Sequence, residues 1–374
     1  MADYIAAGYV AAGFGAVRTA FFGAVAAEPG LGAQLVAYHH DRMVVDLTAG
    51  MDHDDLTGLY SSAKGAAHLV VALLVQDGVL ELDRPVVAYW PEFALDSLTL
   101  RELLSHRSGL IGVDGGLSSE ELADDQVIAA RLANQKPFWT PGEGYGYHAF
   151  VIGALTGEVV RRATGRSLRE IYDDRVRRPY GLDFYLGLPE SEEARYRPVQ
   201  PSQAPSTGAG IDPHSLLGIA FNLHADSPTD LVEFANTRRV RALGPVSSGG
   251  VGNARGLAKM YAAAIGRLDG RPPLLTPATV AEFTTLQTPG TDLVTGESDH
   301  FLLGFEATGL RYPTLGPRAF GHSGAIGAQS FADPDSGLAY SYTRRRFTAA
   351  GGAAPENDSL IAAVARSAAG SRPS

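Results

Sequence analysis

Strand-like segments lie near both ends of this chain, and helix-like segments fill its middle. Near the start, "QLVAYHHDRMVVDLTAG" (Gln34 to Gly50) carries two short apolar runs around His40-Asp41-Arg42 and reads as a β-hairpin. In the last third, "FLLGFEAT" from Phe301, "QSFADP" from Gln329 and "GLAYSYTRR" from Gly337 read as strands separated by turns. Between these ends, helix patterns recur at Ser61–Gln76, from Leu98 to Gly109 and in "SSEELADDQVIAARLAN" from Ser118. They continue in "VIGALTGEVVRRATG" closed by Gly165, in "SLREIYDDRV", and in "GGVGNARGLAKMYAAAI" after its glycines. Val17–Ala27, "ATVAEFTTL" from Ala278, and "NDSLIAAVARSA" with an Asn or Asp cap are read as helices as well. Residues 186–215, rich in Pro, Ser and Gly, read as loop.

Strand patterns at both ends of the chain suggest one sheet built from both termini. The chain then has to leave that sheet and return to it, which gives a sheet built from both termini with a large helical insertion. The class is α/β (α+β). With 374 residues the chain exceeds what one ordinary core spans. We place a discontinuous sheet domain at 1–84 and 245–374, a mostly helical domain at 85–244, and the active site between them.

Composition narrows the chemistry. The net charge of −10 repels nucleic acid and anionic membranes, and Arg344-Arg345-Arg346 is too short a basic run to override it. With no cysteine there is no disulfide, thiolate nucleophile or cysteine-held metal. The start "MADYIAAGYVAAGFGAVRTAFF" lacks the basic region of a signal peptide, and the apolar run Leu69 to Val75 is too short to span a bilayer. The expected compartment is the cytoplasm. Gly-x-Ser-x-Gly, His-Glu-x-x-His, the Walker loop and a Gly-x-Gly-x-x-Gly before a helix are all absent, and "GHSGA" at Gly321 misses the first at its last residue. The adjacent His39 and His40 read as surface residues of the hairpin rather than metal ligands.

"GLYSSAKGAAHLVVALLVQDG" (Gly58 to Gly78) holds Lys64, one of three lysines in a chain that otherwise uses arginine. Ser61 lies three residues earlier, on the same face if the segment is helical. A serine hydroxyl becomes a nucleophile only when something takes its proton, and a lysine can do so only if desolvation or nearby positive charge lowers its pKa. On the residues alone a second reading stands: Ser61 or Ser62 caps the helix and Lys64 is solvated.

Three further stretches accompany "YSSAKG": "TLRELLSHRSGL" from Thr99, "PGEGYGYHAF" from Pro141 and "FGHSGAIGAQSFADPDSGLAYSY" from Phe320. Together, over about residues 7 to 345, the chain resembles the serine β-lactamase-like hydrolases. These include class C β-lactamases, D-aminopeptidases and family VIII carboxylesterases. The resemblance implies the β-lactamase/transpeptidase-like fold, a central antiparallel sheet flanked by helices plus a mostly helical inserted domain.

Position by position, the resemblance makes Ser61 the acylated nucleophile, Lys64 its base and Tyr147 the tyrosine of a Tyr-x-Asn motif. It sets His322-Ser323-Gly324 where class C enzymes carry Lys-Thr-Gly, and it makes the N–H groups of Ser61 and Ala325 the oxyanion hole. The chain departs twice from the β-lactamase pattern: Ala149 replaces the asparagine and His322 the lysine. A β-lactamase uses those groups to hold the amide and carboxylate of its antibiotic. His322 has two roles open to it, hydrogen bonding to substrate or Tyr147, or fixing the glycine-rich strand edge. Trp139, Tyr145, Ser323 and Gly324 are expected to bind substrate, and an acyl pocket is expected from Ile111 to Trp139 and from Pro201 to Phe221, with Phe138, Trp139 and Tyr145 as candidates to line it.

The expected activity is that of a serine carboxylic ester hydrolase on short- to medium-chain esters. The alternatives are an acyltransferase or amidase of a biosynthetic pathway, a β-lactamase, or a non-catalytic binding protein. A small-molecule ester or acyl substrate is implied, with no nucleic-acid or membrane partner and no metal or organic cofactor. Association into a homo-oligomer is left open.

Overall fold

The computed structural model describes residues 7–203, 210–298, 300–348 and 351–370. Its main sheet has six strands, all antiparallel: β1 (Ala7–Val10), β2 (Ala33–His39), β3 (Arg42–Ala49), β7 (Phe320–Ser323), β8 (Gln329–Asp333) and β9 (Leu338–Arg344), in the order β1-β3-β2-β9-β8-β7. The two ends of the chain meet where β2 pairs with β9, Ala33 opposite Arg344 through to His39 opposite Leu338. The expected hairpin is β2–β3, turning at His40 and Asp41, with His40 exposed at φ +55°.

Both faces of this sheet are covered. Helix α1 (Gly15–Ala27) repeats Val17, Phe21 and Val25 on one stripe and packs beside the helix Glu356–Gly370. Together they cover Leu35, Leu47, Tyr340 and Tyr342. The alternate residues of β9, Ala339, Ser341 and Thr343, turn the other way and are small, and the alanine-rich helix Ala254–Ile265 packs on β2, β8 and β9. A second sheet of three short strands, in the order β4-β6-β5, joins β4 (Thr57–Tyr60) to β6 (Gly250–Gly252) and β5 (Phe184–Tyr185).

Helix α2 (Ser62–Gln76) follows β4 directly, and every residue from Ser62 to Leu74 is buried. A helix apolar on all sides belongs inside a core. Its core joins Leu69, Val70 and Leu73 to Leu103, Ile128, Ile152 and Leu155 of the helical region and to Phe305 and Phe320 beside the sheet. Gly65 is required here: a Cβ at this position would stand 2.1 Å from Tyr261 Oη and 3.2 Å from its Cζ. We therefore expect Gly65→Ala to destabilise the protein by about 1–3 kcal/mol through overpacking, despite alanine's better helix propensity. Urea unfolding should show most of that loss recovered in Gly65→Ala/Tyr261→Phe, and equal losses in both proteins would rule out the clash.

Four segments differ from the sequence reading. "FLLGFEAT" is not a strand: it folds back through single bridges, Phe301 to Glu306 and Glu306 to Gly321. Its Gly304, at φ +81°, lies where a Cβ would be 2.2 Å from the His68 ring. The run from Ser118 breaks into two helices, Ser119–Leu122 and Asp125–Leu132, because it contains two caps. Ser118 forms a capping box with Glu121, and the Asp124 carboxylate accepts from the Gln126 N–H. The helix after Thr99 ends at Leu104, and His106 takes φ +59°. The last helix starts at Glu356, so Asn357 is no cap: it is buried, donates to Gly327 O and Ala354 O, and accepts from the Tyr340 hydroxyl. Residues 186–215 contain one short 3₁₀ helix, Glu190–Arg195, and 204–209 lie outside the described residues. Among the described residues, no helix is long and apolar enough to cross a membrane.

Candidate active site

Strand β4 ends at Tyr60, whose φ of +48° is left-handed, a conformation a bulky residue adopts at a cost. That turn presents half-buried Ser61 at the head of α2. Ser61 makes no capping hydrogen bond with its side chain, and Ser62 Oγ is buried without a partner. Ser61 thus stands at the N-cap position, but its side chain does not cap the helix. Instead Ser61 Oγ lies 3.1 Å from Lys64 Nζ and accepts a hydrogen bond of 2.6 Å from the Tyr147 hydroxyl.

Lys64 is fully buried, not solvated. Its Nζ donates to Ala149 O at 2.6 Å and Ser247 O at 2.8 Å. Burial pushes its amine down to about 7, against the opposing pull of the Glu306 and Asp125 carboxylates. A neutral amine has two N–H donors and one lone pair. With both donors taken by carbonyls, the lone pair is left for the Ser61 hydroxyl proton.

Tyr147 is aimed by its loop. Gly146 N–H donates to His106 O, and Tyr147 N–H donates to the carboxylate of buried Asp292. Asp292 also accepts from the N–H groups of Val294 and Thr295, so one carboxylate ties two loops together. The Tyr147 ring stacks at 5.9 Å on Phe301 and lies 4.9 Å from Lys64 Nζ.

The remaining predicted residues are placed around this triad. His322 is fully buried, with Nδ1 2.8 Å from Ser323 O and 3.2 Å from Glu306 Oε1, and its Nε2 has no hydrogen-bond partner. Its ring stands 6.2 Å from that of Tyr147. It has no exposed surface in this structure. Ser323 is turned away from Ser61, its Oγ donating to Glu306 at 2.6 Å.

At Gly324 a Cβ would meet Leu59 O at 2.4 Å and Ser62 Oγ at 3.0 Å, so the end of β7 lies directly against the turn that bears Ser61. The N–H groups of Ser61 and Ala325 flank that contact, and among the described residues neither donates to a protein acceptor. Trp139 and Tyr145 both lie against the Tyr147 loop. A Cβ on Gly146 would be 2.9 Å from the Trp139 ring, and the Tyr145 hydroxyl donates to Gly290 O.

Sequence reasoning did not single out Asp292, Ser247, Glu306 or the buried His68, His106 and His148. His148 donates from Nδ1 to Gly146 O, which leaves Nε2 to accept from the Ser108 hydroxyl, and His106 Nδ1 accepts from the His148 N–H. Burial pushes His148 down to about 4 and His68 to about 3, and it holds His106 far below its ordinary value. These imidazoles stay neutral beside Lys64 and do not compete with it for charge.

The likenesses to known proteins agree with this geometry. The solved structure of EstA from Arthrobacter nitroguajacolicus Rue61a superposes with a TM-score of 0.91 at 42% identity, over 97% of this chain and 98% of that one. A structure described as a family VIII carboxylesterase gives 0.87 at 32%, over 97% and 100%. The "Esterase/beta-lactamase LipL" of Mycobacterium tuberculosis (strain ATCC 25618 / H37Rv) is 27% identical over 341 residues, 84% of this chain and 77% of LipL. A model of the family described as Beta-lactamase matches residues 19–365, almost the full length. A serine–lysine–tyrosine cluster built around a buried lysine, beside a sheet closed by both ends of the chain, thus occurs in a chain that belongs to the beta-lactamase family.

Proposed function

We propose that this protein is a serine carboxylesterase that works through an acyl-enzyme on Ser61. The observation that carries the proposal is the placement of Ser61 Oγ between the Tyr147 hydroxyl at 2.6 Å and the buried Lys64 amine at 3.1 Å. Lys64 takes the Ser61 proton as Oγ attacks the ester carbonyl, and the carbonyl electron pair moves onto oxygen. The N–H groups of Ser61 and Ala325 stabilise that oxyanion. On collapse the alcohol leaves with a proton supplied through Tyr147, which regains one from Lys64. Water, deprotonated by the same groups, then releases the acid. The similarity to a structure described as a family VIII carboxylesterase and to LipL, named an esterase/beta-lactamase, supports an ester as the natural bond.

Short- to medium-chain neutral esters fit this site better than β-lactams. Ala149 offers Lys64 only a backbone carbonyl, without the carboxamide a β-lactamase uses. A neutral imidazole backed by the Glu306 carboxylate stands where a β-lactamase has a cation for its substrate's carboxylate. We therefore expect a p-nitrophenyl butyrate kcat/KM at least about 10²-fold above that of nitrocefin, the size of a lost charged contact. Assayed side by side, equal values would overturn the esterase assignment. Faster product release with an added alcohol or amine, and acyl transfer visible by mass, would make the enzyme a transferase.

A further inference from the structure

Glu306 sits in the turn that leads from Phe301 to β7. Its two oxygens accept from Ser323 Oγ at 2.6 Å and Ser323 N–H at 3.0 Å, and Oε1 lies 3.2 Å from His322 Nδ1. Its backbone pairs with Gly321. The carboxylate is thereby fixed behind His322, whose ring is the next group to that of Tyr147.

The charged and titratable groups around Lys64 come from several elements. Its own helix supplies His68, the loops beyond Leu104 and Gly144 supply His106, His148 and Tyr147, and β7 supplies His322. Asp125 comes from the helix Asp125–Leu132, and Tyr261 lies against Gly65. Arg311 faces Glu306 and His322. Burial keeps the imidazoles neutral and pushes Asp125 up to about 7. Burial also favours the neutral form of Glu306. Arg311 and the two bonds from Ser323 act against it, and this carboxyl lies below its ordinary value. Glu306 is therefore the carboxylate of this set that stays ionised through neutral pH.

When Oγ attacks, the Ser61 proton passes to Lys64 Nζ, the Oγ–C bond forms and the carbonyl pair moves to oxygen. When the intermediate collapses, the pair returns, the bond to the leaving alcohol breaks and the proton leaves Lys64 through Tyr147. Between these events a fully buried ammonium exists, and a buried charge without a counter-charge is strongly unfavourable. We infer that Glu306 is a positioning residue of this site: a fixed, partly buried counter-charge, set behind His322, that stabilises the ammonium Lys64 becomes. Glu306 touches no substrate and gains no proton during the cycle. The inference rests on Lys64 being the base for Ser61.

With three lysines in the chain, lysine labelled with ¹³C at Cε gives three signals, and Lys64→Arg identifies that of Lys64. In the intact protein we expect Lys64 to titrate near 7. In Glu306→Gln its midpoint should fall by about half a pH unit or more, because a stabilising anion is gone. The acid limb of ester kcat/KM should move down with it, while the plateau drops by about three- to thirty-fold as the base weakens. Glu306→Asp, with its charge one methylene further back, should fall between the two.

A folded Glu306→Gln protein with an unmoved Lys64 midpoint overturns the inference, whatever its activity, since a merely structural role lowers the plateau alone. If Glu306→Gln does not fold, Glu306→Asp is read by itself. A lowered midpoint supports the inference, and an unchanged or raised one overturns it. Failure of Ser61 to acylate in the parent would instead remove the esterase reading, and the Lys64 titration would still report on Glu306.

Discussion

A Ser61→Ala protein is expected to fold as the parent does and to lose ester hydrolysis by roughly 10⁴-fold or more. The fold should survive because the Ser61 side chain caps nothing and helix α2 is held by its buried residues from Ser62 to Leu74. Lys64 keeps both of its carbonyl partners, Ala149 O and Ser247 O, and the donor that loses its acceptor is the half-buried Tyr147 hydroxyl. What disappears is the one atom that bonds to the acyl carbon. The oxyanion donors and the cleft remain, and they alone account for whatever residual rate is seen. Circular dichroism and urea unfolding check the first half of the expectation, and p-nitrophenyl butyrate turnover the second. A folded variant with substantial turnover would place the nucleophile elsewhere.

Lys64→Arg should leave a folded protein whose acylation is slower by roughly 10² or more. A guanidinium stays protonated at any pH an enzyme experiences, so it can still donate to the two carbonyls but has no lone pair for Ser61. The parent should show the pH dependence of a neutral base. Below about 7 the Lys64 amine is protonated and cannot take the Ser61 proton, so kcat/KM falls as the pH drops through that value. Above it the amine is neutral and the rate levels off. Lys64→Arg should lack that inflection. Near-normal acylation by a folded Lys64→Arg protein, measured by stopped-flow release of p-nitrophenol, would show that another group is the base.

The parts of this structure that were readable in the sequence are those encoded by local period and spacing. The β2–β3 hairpin, the burial of the run after Lys64 and the closure of Ile152–Thr164 by Gly165 each have a local cause. The placing of strand patterns at both ends of the chain suggested one sheet built from both termini, and β2 pairs with β9. Ser61 and Lys64 were readable because three residues on a helix is one turn. Tyr147 was reached through resemblance, since its 86-residue separation from Ser61 carries no local signal.

What was not readable depends on contacts between distant segments. "FLLGFEAT" has the composition of a strand, yet Gly304 must turn left-handed to pass the His68 ring, and that ring belongs to α2. The same misreading hid Glu306, which looks like the polar residue of an alternating strand but accepts from Ser323 in β7. Asp292 lies in a polar loop, where an aspartate usually faces water, and nothing nearby in sequence indicates that it holds the Tyr147 loop. The helix break at Ala123 was hidden differently: acidic residues suit a first helical turn, and Asp124 served as a cap where it was read as helix interior.

The most direct measurement incubates the parent protein and Ser61→Ala with a serine-reactive phosphonate ester, digests both and locates any added mass by peptide mass spectrometry. One adduct, on Ser61 of the parent and absent from the variant, together with loss of ester turnover in proportion to labelling, is the predicted result. An adduct on another residue, or full turnover by a preparation that carries no adduct on Ser61, would contradict Ser61 as the acylated nucleophile.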